Sequence, residues 1–161
     1  MDTPKISENA VTVLIAEDDD GHAELIQEQL QDAGVRNPLV RFRDGQEVVD
    51  FFQGVSPRRT YDPEQAYLLL LDIRMPKVSG VEVLQRMKQS PALRHIPVIM
   101  LTTTDDPREV DACYKLGCSC YVTKPMDFQK FSDTLQRLGL FILVLRVENA
   151  AEGGALSPFQ P

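Results

Sequence analysis

The segment Tyr67-Leu68-Leu69-Leu70-Leu71-Asp72 sets five apolar residues in succession and ends on a carboxylate. A strand with one wet face alternates apolar and polar side chains. An unbroken apolar run instead predicts a strand covered on both faces, the situation of a central strand in a parallel sheet. Pro76, Ser79 and Gly80 follow, and then Val81, Val83, Leu84 and Met87 recur at helical spacing.

The same alternation repeats on either side. Upstream, Val11 to Ala16 (VTVLIA) predicts a buried strand that ends at Glu17-Asp18-Asp19-Asp20. From His22, the residues Ala23, Leu25, Ile26, Leu30 and Ala33 predict a helix that Gly34 stops. Leu39 to Phe42 is a second short strand, and Asp44 caps a helix through Val48, Val49 and Phe52. Gly54 to Gln65 reads as a loop. Downstream, Val98 to Leu101 is a strand ending at Thr102, and Pro107 opens a helix that reaches Leu116 and stops at Gly117. Cys118 to Val122 is a fifth strand ending at Thr123-Lys124-Pro125, and a last helix runs from near Asp127 through Leu138. Five strand-helix repeats predict an α/β fold: a doubly wound, five-stranded parallel sheet with helices on both faces.

The chain has 161 residues, 43% of them hydrophobic, which suits one domain with a substantial core. Its 24 acidic and 17 basic side chains leave a net charge of -7. Binding to a phosphate backbone needs clustered Lys and Arg, so a nucleic-acid partner is excluded. Cys113, Cys118 and Cys120 form neither a CxxC pair nor a zinc spacing, and read as reduced cytosolic thiols. Met1 to Ala10 has no apolar run; it reads as a flexible segment rather than a signal peptide. Leu138 to Val147 is too short to span a membrane and is broken by Gly139 and Arg146. A cytoplasmic protein with no membrane partner is expected. The domain is expected over 11–147, with a hydrophobic extension at 138–147 and a disordered tail at 148–161.

In an open α/β sheet, ligands sit at the carboxyl ends of the strands. The five predicted strands bring Glu17 and Asp18, Asp72, Thr102 and Lys124 to that edge. Three carboxylates in one crevice repel one another and raise one another's pKa values unless a cation neutralises them. Oxygen donors with water are the ligand set of Mg²⁺. Metal and ammonium together could bind phosphoryl oxygens while a carboxylate acts as nucleophile. His22 and His95 read as surface residues, and Asp105 and Asp106 as charges at a helix start.

Four segments then carry a resemblance. Val13-Leu14-Ile15-Ala16-Glu17-Asp18-Asp19, Leu71-Asp72-Ile73-Arg74-Met75-Pro76 with Gly80, Met100-Leu101-Thr102, and Tyr121-Val122-Thr123-Lys124-Pro125 resemble the receiver domain of two-component response regulators. The resemblance spans roughly Val11 to Leu138 and implies the flavodoxin-like (βα)5 receiver fold. It implies that Asp72 accepts a phosphoryl group from a histidine kinase. Glu17, Asp18, Asp72 and the backbone carbonyl of Arg74 would hold Mg²⁺. Thr102 and Lys124 would bind the phosphoryl group, and Tyr121 would change rotamer as Thr102 moves. Lys124-Pro125 would be a cis peptide. Arg74 and Thr104 would flank the phosphorylation site. The acidic run Glu17 to Ala23, the phrase Ser90 to Pro107 and the hydrophobic extension more narrowly resemble regulators paired with phytochrome-type histidine kinases.

Such a chain is a signalling protein rather than an enzyme, its only chemistry being its own phosphorylation and dephosphorylation. Two alternatives stand beside it. One is a non-phosphorylated dimeric scaffold of the same fold. The other is a phosphatase with an aspartyl nucleophile, against which Arg74 counts, because it stands two residues after Asp72, where some such enzymes place a second acid. Leu140 to Leu145 is six apolar residues in a row, more than one helix face can bury on its own sheet. A homodimer through the last helix and its extension is therefore expected.

Overall fold

Ten elements alternate along residues 11–145, the part of the chain that the computed structural model describes. They are β1 (Thr12–Ala16), α1 (Asp20–Asp32), β2 (Leu39–Phe42), α2 (Gly45–Gln53), β3 (Tyr67–Leu71), α3 (Gly80–Gln89), β4 (Val98–Thr102), α4 (Pro107–Leu116), β5 (Cys120–Thr123) and α5 (Phe128–Val144). The segments expected at 1–10 and 148–161, and the last two positions of the 138–147 extension, lie outside the described residues.

The five strands form one parallel sheet in the order β2-β1-β3-β4-β5. The central position of β3 explains its composition, since every residue from Tyr67 to Leu71 is buried. Alternate side chains enter two cores. Leu14, Ala16, Leu69, Leu71 and Met100 pack with Val48, Phe51, Leu84, Met87 and Cys113 from α2, α3 and α4. Val13, Ile15, Leu68, Leu70 and Ile99 pack with Ile26 and Leu30 of α1 and Phe131, Leu135, Leu138 and Ile142 of α5. The order of the strands reverses between β1 and β3, which opens a crevice at their carboxyl ends.

Three boundaries differ from expectation, each for a local reason. Helix α1 starts two residues earlier than His22, because Asp19 accepts a hydrogen bond from the His22 amide at 2.8 Å and so caps it. The fifth strand starts at Cys120 rather than Cys118. The Cys118 amide still donates to the Cys113 carbonyl of α4 at 3.0 Å, so this residue closes the helix behind Gly117, whose φ is +102°. Helix α5 does not end near Leu138; it continues through most of the extension to Val144.

Gly139 is what lets α5 lie close to α1. A Cβ built there would stand 2.7 Å from the Ala33 Cβ. Substitution Gly139→Val should overpack this seam and destabilise the fold by about 1–3 kcal/mol, read as a lower midpoint in urea unfolding with an unchanged slope.

Candidate functional site

The sheet's own hydrogen bonds run one residue past each strand and deliver the polar groups. The Glu17 amide donates to the Phe42 carbonyl at 3.0 Å, the Asp72 amide to the Ala16 carbonyl at 3.1 Å, and the Lys124 amide to the Thr102 carbonyl at 2.7 Å. The backbones of Glu17, Asp72, Thr102 and Lys124 are thus held by strand pairing, independently of their side-chain contacts. Burial is nearly complete, at 2% exposure for Glu17, 8% for Asp72, 0% for Thr102 and 3% for Lys124, while Asp18 is exposed at the rim.

The β3–α3 connection is held close to the site. The Gly80 amide donates to the Ile73 carbonyl at 2.8 Å, and a Cβ at Gly80 would stand 2.0 Å from the Asp72 carbonyl oxygen. Only glycine permits that approach. Ile73, Met75 and Val78 are buried, so the Arg74 backbone between them is anchored beside Asp72 while its side chain stays 72% exposed. Lys77 adopts a left-handed φ of +68°, a strained conformation for lysine, and its ammonium lies 3.4 Å from Asp44, the cap of α2.

The Lys124 ammonium donates to Glu17 Oε2 in a short contact and to Asp72 Oδ2 at 3.2 Å. One oxygen from each of Glu17, Asp18 and Asp72 lies within 4.8 Å of the others. Burial pushes the Glu17 carboxyl up to about 7; Lys124 pulls it down, and the nearby Asp72 charge adds to the rise. The repulsion expected among the carboxylates therefore operates, but burial is the larger cause. Asp72 Oδ1 and Thr102 Oγ1 are buried and accept or donate no hydrogen bond. A buried polar atom left unpaired costs about 1–3 kcal/mol, and such atoms cluster at binding and catalytic sites. Three converging carboxylates, one of which keeps an oxygen without a protein partner, fit a hard divalent cation that takes oxygen ligands.

Tyr121 of β5 pairs with Met100 and donates its hydroxyl proton to the Thr104 carbonyl at 2.7 Å, two residues beyond Thr102. Its amide donates to the Tyr114 hydroxyl at 3.1 Å. Partial burial pushes the Tyr121 phenol up to about 12, so it remains a donor at neutral pH. No cis peptide occurs among the described residues, so the Lys124–Pro125 bond is trans, contrary to the expectation. The trans form is the intrinsically favoured one, and here the Lys124 amide and ammonium are already held by Thr102, Glu17 and Asp72.

Three side chains at the site had no role in the sequence reading. His22 Nδ1 lies 3.3 Å from the Lys124 ammonium, and its ring meets Phe131 edge-on at 5.7 Å. Its position in the first turn of a helix that starts beside the acidic run was the available signal. Arg41 of β2 donates to the Glu17 carbonyl from Nε at 3.1 Å and from Nη2 at 3.0 Å. Its Nη2 also lies 3.3 Å from the Asp18 carbonyl, and its Nη1 2.5 Å from Asp20 Oδ1. It clamps the acidic turn from a neighbouring strand. Glu109 of α4 accepts from the Thr104 hydroxyl at 2.6 Å and lies 4.0 Å from Arg74 Nη2. Neither Arg41 nor Glu109 belongs to a motif.

A five-stranded parallel sheet carries a buried lysine and a carboxylate trio at its carboxyl edge, and residues 13–136 match the response regulator receiver domain. The chain belongs to this family. It is 34% identical over 131 residues to the response regulator Rcp1 of Synechocystis, covering 81% of this chain and 88% of that one. A receiver domain from Rhodospirillum rubrum superposes with a TM-score of 0.80 at 38% identity, covering 86% of this chain and 98% of that one. The Mn²⁺-bound form of Rcp1 gives 0.75 at 31% identity, covering 85% and 98%. The phosphorylated cyanobacterial phytochrome response regulator RcpA gives 0.73 at 29% identity, covering 83% and 94%. The expected fold and family are borne out.

Folding moves the Glu17 carboxyl from 4.5 to about 7, so the folded chain holds that proton more tightly than the unfolded chain. The resulting stability is fully present below the unfolded value and is lost as pH rises through the folded one. In divalent-free buffer, wild type should lose stability relative to Glu17→Gln between about pH 5 and about pH 8, on the order of 1–3 kcal/mol. Urea denaturation of both proteins at the two pH values measures this; parallel pH profiles would refute it.

Proposed function

We propose that this chain is a single-domain response regulator whose Asp72 accepts a phosphoryl group from the phosphohistidine of a partner kinase. The observation that carries this reading is the pair of unpartnered buried atoms, Asp72 Oδ1 and Thr102 Oγ1, together with the Lys124 ammonium 3.2 Å from the other Asp72 oxygen. In the transfer, an Asp72 oxygen forms a bond to phosphorus as the nitrogen–phosphorus bond of the donor breaks, and the donor imidazole leaves neutral after gaining a proton. Thr102 donates its hydroxyl proton to a phosphoryl oxygen, and Lys124 pairs with another. Mg²⁺, held by Glu17, Asp18, Asp72 and the Arg74 backbone carbonyl, would offset the charge that accumulates on the phosphoryl oxygens. Hydrolysis of the acyl phosphate returns Asp72 and inorganic phosphate. This is a self-limited reaction of a signalling protein, not turnover of an external substrate.

Tyr121 carries the state of the site outward, because its hydroxyl is bound to the segment that follows Thr102. The likeness to a phosphorylated phytochrome response regulator supports a phytochrome-type histidine kinase as the partner. The location proposed for this chain is cytoplasmic. Among the described residues no helix is long and apolar enough to cross a membrane.

The regulator works as a homodimer through α5. Leu140, Phe141, Leu143 and Val144 are exposed there, and a groove of about 280 Å³ lies between Phe141 and Leu138 of α5 and Cys120 and Val122 of β5. A second copy of the same helix, apolar and of the same length, suits that surface.

Incubation with Mg²⁺ and acetyl phosphate should add one phosphoryl group by intact mass, labile to hydroxylamine. The adduct should be absent from Asp72→Asn and from wild type in EDTA. If neither an adduct nor a beryllofluoride complex forms, the switch reading fails. Separately, Phe141→Lys should convert a dimer to a monomer in sedimentation equilibrium, weakening association by at least roughly 10-fold, since a buried aromatic anchor carries more than about 1.4 kcal/mol. A monomeric wild type would overturn the dimer.

A further inference from the structure

Glu109 sits on the first turns of α4, outside every motif, yet it touches both side chains that flank the site. Its Oε2 accepts a 2.6 Å hydrogen bond from the Thr104 hydroxyl and lies 4.0 Å from a guanidinium nitrogen of Arg74. Thr104 also receives the Tyr121 hydroxyl at its carbonyl, at 2.7 Å. One carboxylate therefore ties the residue two past Asp72 to the residue two past Thr102. Its own side chain is about one-third exposed, while Arg74 is 72% exposed.

The guanidinium of Arg74 is the cation of the β3–α3 connection nearest in sequence to Asp72; its tip meets Glu109 at 4.0 Å and the rest of the side chain is largely exposed. Phosphorylation of Asp72 would place a dianion within the same mouth. A phosphoryl group offers guanidinium a stronger, bidentate partner than a single carboxylate at 4.0 Å. Glu109 and the phosphoryl group thus compete for one cation.

We propose that Glu109 is a positioning residue that withholds Arg74 from the phosphoryl group and so biases the domain toward its unphosphorylated form. This rests on the phosphoacceptor reading of Asp72. Transfer of Arg74 to the phosphoryl oxygens leaves Glu109 with Thr104 alone, and the β4–α4 segment that Tyr121 grips becomes the only tether of that carboxylate. The inference concerns binding equilibrium: the phosphorylated state is weakened by what Arg74 gains from Glu109.

The two contacts of Glu109 can be separated. Glu109→Gln keeps an acceptor for the Thr104 hydroxyl but removes the charge that attracts Arg74. The readout is the affinity for beryllofluoride with Mg²⁺, followed by the bound ¹⁹F resonance, in wild type, Glu109→Gln, Arg74→Ala and the double variant. Glu109→Gln should bind beryllofluoride about 2–5-fold more tightly than wild type, the range of an exposed ion pair. Added to Arg74→Ala, it should change nothing. Unchanged affinity in Glu109→Gln overturns the proposal. So does an equal gain with and without Arg74, which would mean that the lost negative charge acts on the anion directly. A wild type that binds no beryllofluoride and takes no phosphoryl group instead overturns the phosphoacceptor reading, and this inference with it.

Discussion

Two carboxylates buried side by side are unstable without a cation, and the cation here is the Lys124 ammonium, in contact with both Glu17 and Asp72. The rest of the site depends on this contact. Glu17 follows β1 and Lys124 follows β5, so the link spans 107 residues and ties the central strands to the edge of the sheet. Taking such charges out of water costs several kcal/mol per ion unless geometry and further hydrogen bonds compensate. The pairing is therefore weak evidence for stability and stronger evidence for a site kept for its chemistry. The raised Glu17 pKa expresses the same imbalance, because burial outweighs the pull of the lysine.

The precision of the site comes from backbone rather than side-chain contacts. Parallel pairing continues past the strands to Glu17, Asp72 and Lys124, so their Cα positions inherit the register of the sheet. Gly80 then brings the start of α3 against the Asp72 carbonyl, and Arg41 holds the Glu17 and Asp18 carbonyls from β2. The side chains at the crevice are thus positioned from three directions, while Asp72 Oδ1 and Thr102 Oγ1 remain without partners.

What could be read from the sequence follows from which forces are local. The run Tyr67 to Leu71 must be buried on both faces, and its position at the centre of the sheet is the simplest way to achieve that. Strand ends were legible because apolar runs stop abruptly at Glu17, Asp72, Thr102 and Thr123, the residue before Lys124. Helix starts were less so: within Glu17 to Asp20 any acid could serve as the cap, and only the hydrogen bond to the His22 amide selects Asp19. Arg41 and Glu109 were illegible because each acts across more than one element through contacts that no local spacing encodes. His22 looked like a surface residue and is indeed partly exposed, yet the helix that begins at Asp20 turns its ring toward Lys124.

The link from site to surface is short on the β5 side. Lys124 precedes Asp127, the cap of α5, by three residues, and the Asp127 carboxylate accepts from the Lys130 amide at 2.9 Å. Helix α5 is sealed to α1 on one side, where Gly139 meets Ala33 and Leu143 lies 3.6 Å from where a Cβ on Gly34 would stand. On the other side it exposes Leu140, Phe141 and Val144. A displacement of the lysine by a bound phosphoryl group would therefore act on a helix whose inner face is locked and whose outer face is apolar. Packed interfaces respond to such a displacement by small rigid shifts rather than by deformation. In the proposed dimer, that shift would fall on the very surface through which two copies meet. Phosphorylation and association would then be linked by one helix rather than by a long chain of intermediates.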